Sequence, residues 1–283
     1  MQNDPEFFAS LPPRLAALPE ASRAEALLHI DYLGEKAGVS RDHLLAGNPF
    51  DVHEQVLRDA RHNIESVLSR EATPSPSGDM SVAQLIELGE RTLEGWCSRE
   101  KAEAIAEFVT LERPETCVEI GVYGGRSLVP AAAALRHNGS GVIYGVETWR
   151  PDVAAEHATT EENDAWWQRL DFHTIKTNFY RFIAEQGLAS TVRIIEAPSA
   201  DAAGLFSTID YLHIDGAHSI YNAAEDVVLY AKKVRPNGII IMDDANWATT
   251  APALAILDSL GTRIREFHNE SGKVACIAYR KRN

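Results

Sequence analysis

The chain has 283 residues, 45% of them hydrophobic, enough for one large domain, or one domain and a smaller partner, and against global disorder. A formal net charge of −14 argues against non-specific binding to nucleic acid or to an anionic membrane, since both favour basic surfaces. Three scattered cysteines, Cys97, Cys117 and Cys276, argue against a disulfide framework or a thiolate zinc site and suit a reducing compartment.

The N-terminus, Met1-Gln-Asn-Asp-Pro-Glu6, has neither a basic leader nor an apolar core, and no apolar run reaches the ~18 residues that span a bilayer. The expectation is a soluble, cytoplasmic protein. From Pro12 to Leu68, apolar residues such as Leu15, Leu18, Leu27, Ile30 and Leu33 recur at three-to-four spacing, which predicts several short helices. Thr73-Pro-Ser-Pro-Ser-Gly-Asp79 cannot continue a helix and reads as a linker or exposed loop. Residues 1–79 are therefore expected to form a helical N-terminal extension, a cap or an arm for homo-oligomerisation.

Residues 80–283 read as the main domain. An amphipathic helix is predicted over Val82–Leu93, and Ser98 caps another that runs to about Thr110. Five strands follow, at Cys117–Ile120, Gly141–Glu147, Val192–Ala197, Tyr211–Asp215 and Gly238–Asp243. Helices alternate with them at Ser127–Arg136, around Asp164–Glu185, at Ala200–Phe206 and at Asn222–Val234. Near-continuous apolar strands alternating with helices predict an α/β, doubly wound, mostly parallel sheet. Arg263–His268 and Lys273–Arg280 flank Asn269-Glu-Ser-Gly272 and predict a C-terminal antiparallel hairpin.

Cys117-Val-Glu-Ile-Gly-Val-Tyr-Gly-Gly-Arg-Ser127 is a strand, a glycine turn and a helix start, an arrangement that brings a cofactor to backbone N–H groups. Glu147, at the end of the second strand, can accept two hydrogen bonds from a ribose diol. The same logic serves NAD, but Gly-Val-Tyr-Gly-Gly is not Gly-x-Gly-x-x-Gly. Glu119 before the turn would also crowd a pyrophosphate with negative charge. A phosphate-free, cationic sulfonium cofactor tolerates it, which favours S-adenosylmethionine.

With "VEIGVYGGRS", "YGVET", "LHIDGAHS" and "RPNGIIIMDD" in that order, residues from about 80 onwards resemble the class I S-adenosylmethionine-dependent methyltransferases. They look most like the branch of the macrolide sugar O-methyltransferases and the cephalosporin-hydroxylase-type proteins. The resemblance implies a Rossmann-like, seven-stranded sheet. It puts Glu119 and Gly121 near the methionine part of the cofactor, with Tyr123, Gly124 and Ser127 in the same turn. It puts Glu147 on the ribose, Trp149 beside Thr148 near the adenine, and Ser199 close to the base. An ordinary packed aromatic is the competing reading of Trp149.

Asp215, Asp243 and Asp244 end neighbouring strands and should meet at one rim. Three close carboxylates repel unless they neutralise, pair or hold a cation, and an oxygen-only set suits Mg²⁺ or another divalent ion. The alternative is that one aspartate caps a helix and another meets substrate or cofactor. Asp215 also belongs to the expected cofactor set. The metal-dependent O-methyltransferases carry a comparable acidic set, and in the macrolide sugar type a histidine follows the first aspartate. His218 is thus expected to be the general base, or else to orient Asp215; Asp215 is the other catalytic candidate. His213 reads as a core or cofactor-side histidine. Trp166 and Trp167, in the long segment between the second and third strands, either stack on an acceptor or anchor a helix.

The expected activity is methyl transfer from S-adenosylmethionine to a hydroxyl of a small molecule, such as a natural product or sugar, with a divalent metal. The alternatives are a metal-independent N- or O-methyltransferase and a non-catalytic S-adenosylmethionine-binding accessory protein.

Overall fold

The computed structural model describes residues 5–16, 18, 20–54, 56–58, 60, 61, 64, 65, 68, 80–156 and 158–283. The expected linker at Thr73–Asp79 lies outside the described residues. The chain divides into two compact units, residues 1–79 and 80–283.

The first unit contains helices Pro5–Ala9, Leu11–Ala16, Glu20–Ala37 and Arg41–Leu45. Its core is formed by Phe8, Leu11, Leu15, Ile30, Leu33, Leu44 and Ile64. The helix at Arg41 starts where Ser40 Oγ accepts the N–H of His43.

The second unit is built on a seven-stranded sheet: β1 (Thr116–Ile120), β2 (Val142–Val146), β3 (Val192–Ile195), β4 (Ile209–Ile214), β5 (Val234–Met242), β6 (Gly261–His268) and β7 (Val274–Lys281). The order is β3-β2-β1-β4-β5-β7-β6. β1 to β5 run parallel, and β7 is antiparallel to both of its neighbours. The doubly wound sheet and the C-terminal hairpin are thus as the sequence predicts. On one face Cys117, Tyr211, Ile239 and Ile241 pack under α1 (Val82–Thr92), α2 (Arg99–Glu112) and α3 (Leu128–Asn138). On the other, Val118, Leu212, Ile214, Ile240 and Met242 pack under α7 (Ile220–Tyr230) and α8 (Ala251–Leu260). The period-two alternation of each strand produces this division.

Between β2 and β3 lie α4 (Pro151–Ala154), α5 (Glu161–Gln168) and α6 (Phe172–Glu185). The single helix expected around Asp164–Glu185 is two, because Asp171 caps α6, its Oδ1 accepting the N–H of Thr174 at 3.1 Å. α8 has no counterpart among the expected elements; its signal was a proline in the first turn, Pro252. Among the described residues no helix is long and apolar enough to cross a membrane. All three cysteines are free and buried.

Candidate active site

The carboxyl ends of β1, β2, β4 and β5 open onto one cavity of about 580 Å³. Open α/β sheets bind ligands at the carboxyl ends of their strands. One wall is the glycine turn. Gly121 has φ +83°, and a Cβ on it would come within 2.1 Å of the carbonyl oxygen of Asp215. Only glycine lets the β1 and β4 ends approach this closely. Tyr123 and Ser127 line the cavity with Gly121, but Gly124 does not. Gly124 is small because its Cβ would sit 2.3 Å from Glu94 O.

Glu147 and Thr148 line the cavity beside this turn. Glu147 holds the turn in shape: Oε2 accepts the N–H groups of Val122 (3.1 Å) and Tyr123 (2.9 Å), and Oε1 those of Thr148 (2.7 Å) and Trp149 (2.8 Å). Four backbone donors occupy all of the roughly four acceptor positions of a carboxylate. Trp149 is not on the cavity wall. It is buried against Phe179 and Tyr180, and its Nε1–H donates to Tyr123 O at 2.7 Å. The packed-aromatic reading describes it, because its left-handed backbone (φ +46°) turns the ring inward.

Glu119 is not on the cavity wall either. It is fully buried under the cavity floor, where it accepts Ser127 Oγ–H at 2.8 Å and faces His213 Nδ1 at 3.1 Å. Ser127 is spent on this bond, not on capping α3. Glu119 on β1 is in register with His213 on β4. His213 Nε2 lies 2.6 Å from Asp243 Oδ2. Burial works against a charge on His213, but Glu119 and Asp243 on its two sides outweigh it and push its pKa up to about 10. Both ring nitrogens therefore donate.

A residue absent from the sequence-based set completes this row. Lys101, on α2, is 3% exposed, and its Nζ donates to Asp243 Oδ2 at 2.7 Å and to Trp96 O at 3.3 Å. Burial pushes the Asp243 carboxyl up, yet Lys101 and His213 hold it well below the usual carboxylate range. Asp215 shows the opposite. Burial and the neighbouring Asp243 raise it well above that range, and no side-chain hydrogen bond or ion pair reaches it among the described residues. Asp244, with φ +55°, turns the other way and meets His218, Oδ2 to Nε2 at 2.8 Å. That bond raises the pKa of His218 against the effect of burial.

The three expected metal ligands thus do not converge as one set. Among the described residues the convergent ligand-type group is His213, Asp215 and Asp243, with one ligand atom of each within 4.8 Å of the others. His213 has no lone pair to offer when both nitrogens donate. Asp243 Oδ2 is already shared by an ammonium and an imidazolium. As folded, the residues do not fit an oxygen-only divalent site.

Two further carboxylates are absent from the sequence-based set. Asp226 on α7 is 2% exposed and lines the cavity. Oδ1 accepts Ser199 Oγ–H, while Oδ2 is buried with no partner. Burial lifts its pKa to about 7, against the Ser199 bond. Glu156, in the insert, accepts the N–H groups of His218 (2.6 Å) and Ser219 (3.2 Å) and the Nδ2–H of Asn222 (2.8 Å). It fastens the insert to the N-terminus of α7, where a carboxylate is favoured. At the mouth, Trp96 stacks on Tyr123 at 5.5 Å, and Trp166 lies 5.2 Å from Trp96 and 4.8 Å from Trp167. Trp96 is 67% and Trp166 37% exposed.

The profile of a methyltransferase domain matches residues 118–245, which span the glycine turn, Glu147 and the acidic rim. No curated protein matches the chain in sequence. Many solved structures match the chain, and among those that share the fold are the following two. One, from Klebsiella pneumoniae, is proposed to be an O-methyltransferase (16% identity, TM-score 0.51, covering 78% of this chain and 96% of that one). The other is the O-methyltransferase TomG of Streptomyces achromogenes, involved in tomaymycin synthesis and solved with SAM (15% identity, TM-score 0.51, covering 76% of this chain and 96% of that one). Sheet order and hairpin together give the chain the fold of a class I methyltransferase, and a methyltransferase domain matches it over residues 118–245.

Proposed function

We propose that the protein transfers a methyl group from S-adenosylmethionine to a hydroxyl of a small molecule. The observation that carries this reading is the cavity, with the glycine turn and Glu147 on one side and an acidic rim of Asp215, Asp243 and Asp244 on the other. The partnerless Asp226 Oδ2 beside Ser199 supports the fit, since a buried acceptor without a donor is costly and a purine edge would satisfy it. TomG, with its SAM, supports the same choice of cofactor.

When bound, S-adenosylmethionine supplies a methyl group on a cationic sulfonium. The chain's own residues then have the following parts. Glu147 keeps the turn at Val122–Tyr123 in shape, and a ribose hydroxyl would compete for its oxygens. Ser199 and Asp226 meet the adenine edge. Asp215, the one rim carboxylate without a cationic side chain, faces the positive part of the cofactor. His218, tethered by Nε2 to Asp244, accepts the hydroxyl proton at Nδ1, which lies 3.9 Å from Glu156 Oε1, beyond hydrogen-bond reach. Trp96, Trp166 and Tyr123 offer ring faces to the acceptor. Orientation supplies most of the acceleration, because the sulfonium is already reactive.

A second reading is a divalent-metal-dependent transferase. It is favoured by the close approach of His213, Asp215 and Asp243. Calorimetric titration with S-adenosylmethionine, with its demethylated product and with NAD, followed by methyl-transfer assays with and without chelator, tests both readings. NAD binding without S-adenosylmethionine binding defeats the proposal. Full dependence on an added ion favours the second reading.

A further inference from the structure

We propose that Lys101 is the resident cation of the acidic rim, so that its ammonium stands where a divalent ion would otherwise be needed. This rests on the methyl-transfer reading only for its consequence in catalysis; the ion chemistry stands on geometry.

Lys101 follows the cap residue Ser98 by three positions and falls on the buried stripe of α2 with Ala102, Ile105 and Val109. An apolar side chain would fill that place without the cost of removing an ammonium from water. The ammonium is not stranded, however. It donates to Asp243 Oδ2 at 2.7 Å and to Trp96 O at 3.3 Å, and its charge reaches Asp215 as well. The buried row Glu119, His213, Asp243 and Lys101 is joined side chain to side chain, with Asp243 Oδ2 shared by the Lys101 ammonium and His213 Nε2. Asp244 and His218 form a second pair. Of Glu119, Asp215, Asp243 and Asp244, only Asp215 has no nitrogen-bearing side chain within ion-pair distance among the described residues. A cation beside it would favour the ionised carboxylate, and one such carboxylate suits a monocation such as a sulfonium or an ammonium. A divalent ion at the same place would face the Lys101 ammonium, and like charges in a buried site repel strongly. Lys101 is therefore a positioning residue. It fixes the Asp243 carboxylate and keeps the rim's net charge matched to a singly charged cofactor group.

The test is a Mn²⁺ titration of the full chain, stripped with chelator, followed by the loss of the free-ion electron paramagnetic resonance signal. Wild type and Lys101→Arg, which keeps the charge, are expected to take up no Mn²⁺ up to about 1 mM, above the affinity range of most dedicated ion sites. Lys101→Met, which keeps the apolar stem and removes the charge, is expected to bind Mn²⁺ at least tenfold more tightly than wild type, with Asp215→Asn in the same background removing the gain. Micromolar Mn²⁺ uptake by wild type that Asp215→Asn abolishes overturns the proposal, and needs no Lys101 variant to fold. A folded Lys101→Met chain that binds no more Mn²⁺ than wild type also overturns it. S-adenosylhomocysteine binding, measured on the same samples, reports separately on the methyl-transfer reading.

Discussion

Glu147 Oε2 accepts the backbone N–H of Tyr123 at 2.9 Å, a bond that couples the end of β2 to the glycine turn after β1. With the three other N–H groups on this carboxylate, it makes Glu147 a brace for the cofactor wall as well as a candidate ribose contact. Glu147→Ala is expected to weaken S-adenosylmethionine binding by about 1–3 kcal/mol and to lower thermal stability as well, since charge-assisted bonds to four donors are lost. Glu147→Gln keeps one oxygen acceptor and should fall between. Calorimetry and thermal melts of both variants check this. Weakened binding with unchanged melting would assign Glu147 to the ligand alone.

The fold was legible because it rests on periodicity. β1, β4 and β5 read as apolar runs such as Gly238-Ile-Ile-Ile-Met242, and each was bounded by turn or capping residues. The site was legible only in part. Motif position put Glu119 and Trp149 at strand ends near the cofactor, but whether such a side chain points into the cavity or beneath it depends on alternation and on local backbone twist. Glu119 alternates with Cys117 to the face covered by α1, α2 and α3, and the left-handed φ of Trp149 turns its ring into the core. Lys101 and Asp226 carried a usable signal. Each is a charge on the apolar stripe of a helix, Lys101 with Ile105 and Val109, Asp226 with Ala223, Val227 and Tyr230. Glu156 gave none, since its partners lie 62 to 66 residues away on another element.

Asp226 should give the protein a pH-dependent stability. Its folded pKa is about 7, against an ordinary value of 3.8. Between those values the folded chain keeps a proton that the unfolded chain has released. The stability tied to that proton is complete below pH 3.8 and is lost as pH rises through about 7. Asp226→Asn keeps an oxygen for Ser199 Oγ–H and has nothing to ionise. It is expected to be roughly 2–4 kcal/mol more stable than wild type at pH 8, with a much smaller difference near pH 4. Melting temperatures at the two pH values decide it. An equal gain at both would show that ionisation of Asp226 is not involved.

His218 and Asp244 should separate proton transfer from cofactor binding. His218→Ala is expected to slow turnover by about 10²–10⁴-fold, the usual range for loss of a general base, with affinity for S-adenosylhomocysteine within about twofold of wild type. Asp244→Asn removes the charge that holds Nε2 and should cost less than His218→Ala. Stopped assays under saturating cofactor check the order. A larger loss in Asp244→Asn than in His218→Ala would mean that Asp244 meets the reactants directly.

The most direct measurement is calorimetric titration of the full chain with S-adenosylmethionine and, separately, with NAD. One S-adenosylmethionine per chain should bind in the micromolar range, with ΔG near −8 kcal/mol at a Kd of about 1 μM, and NAD should give no heat of binding. Binding of NAD, or no S-adenosylmethionine binding by a folded chain, would contradict the account.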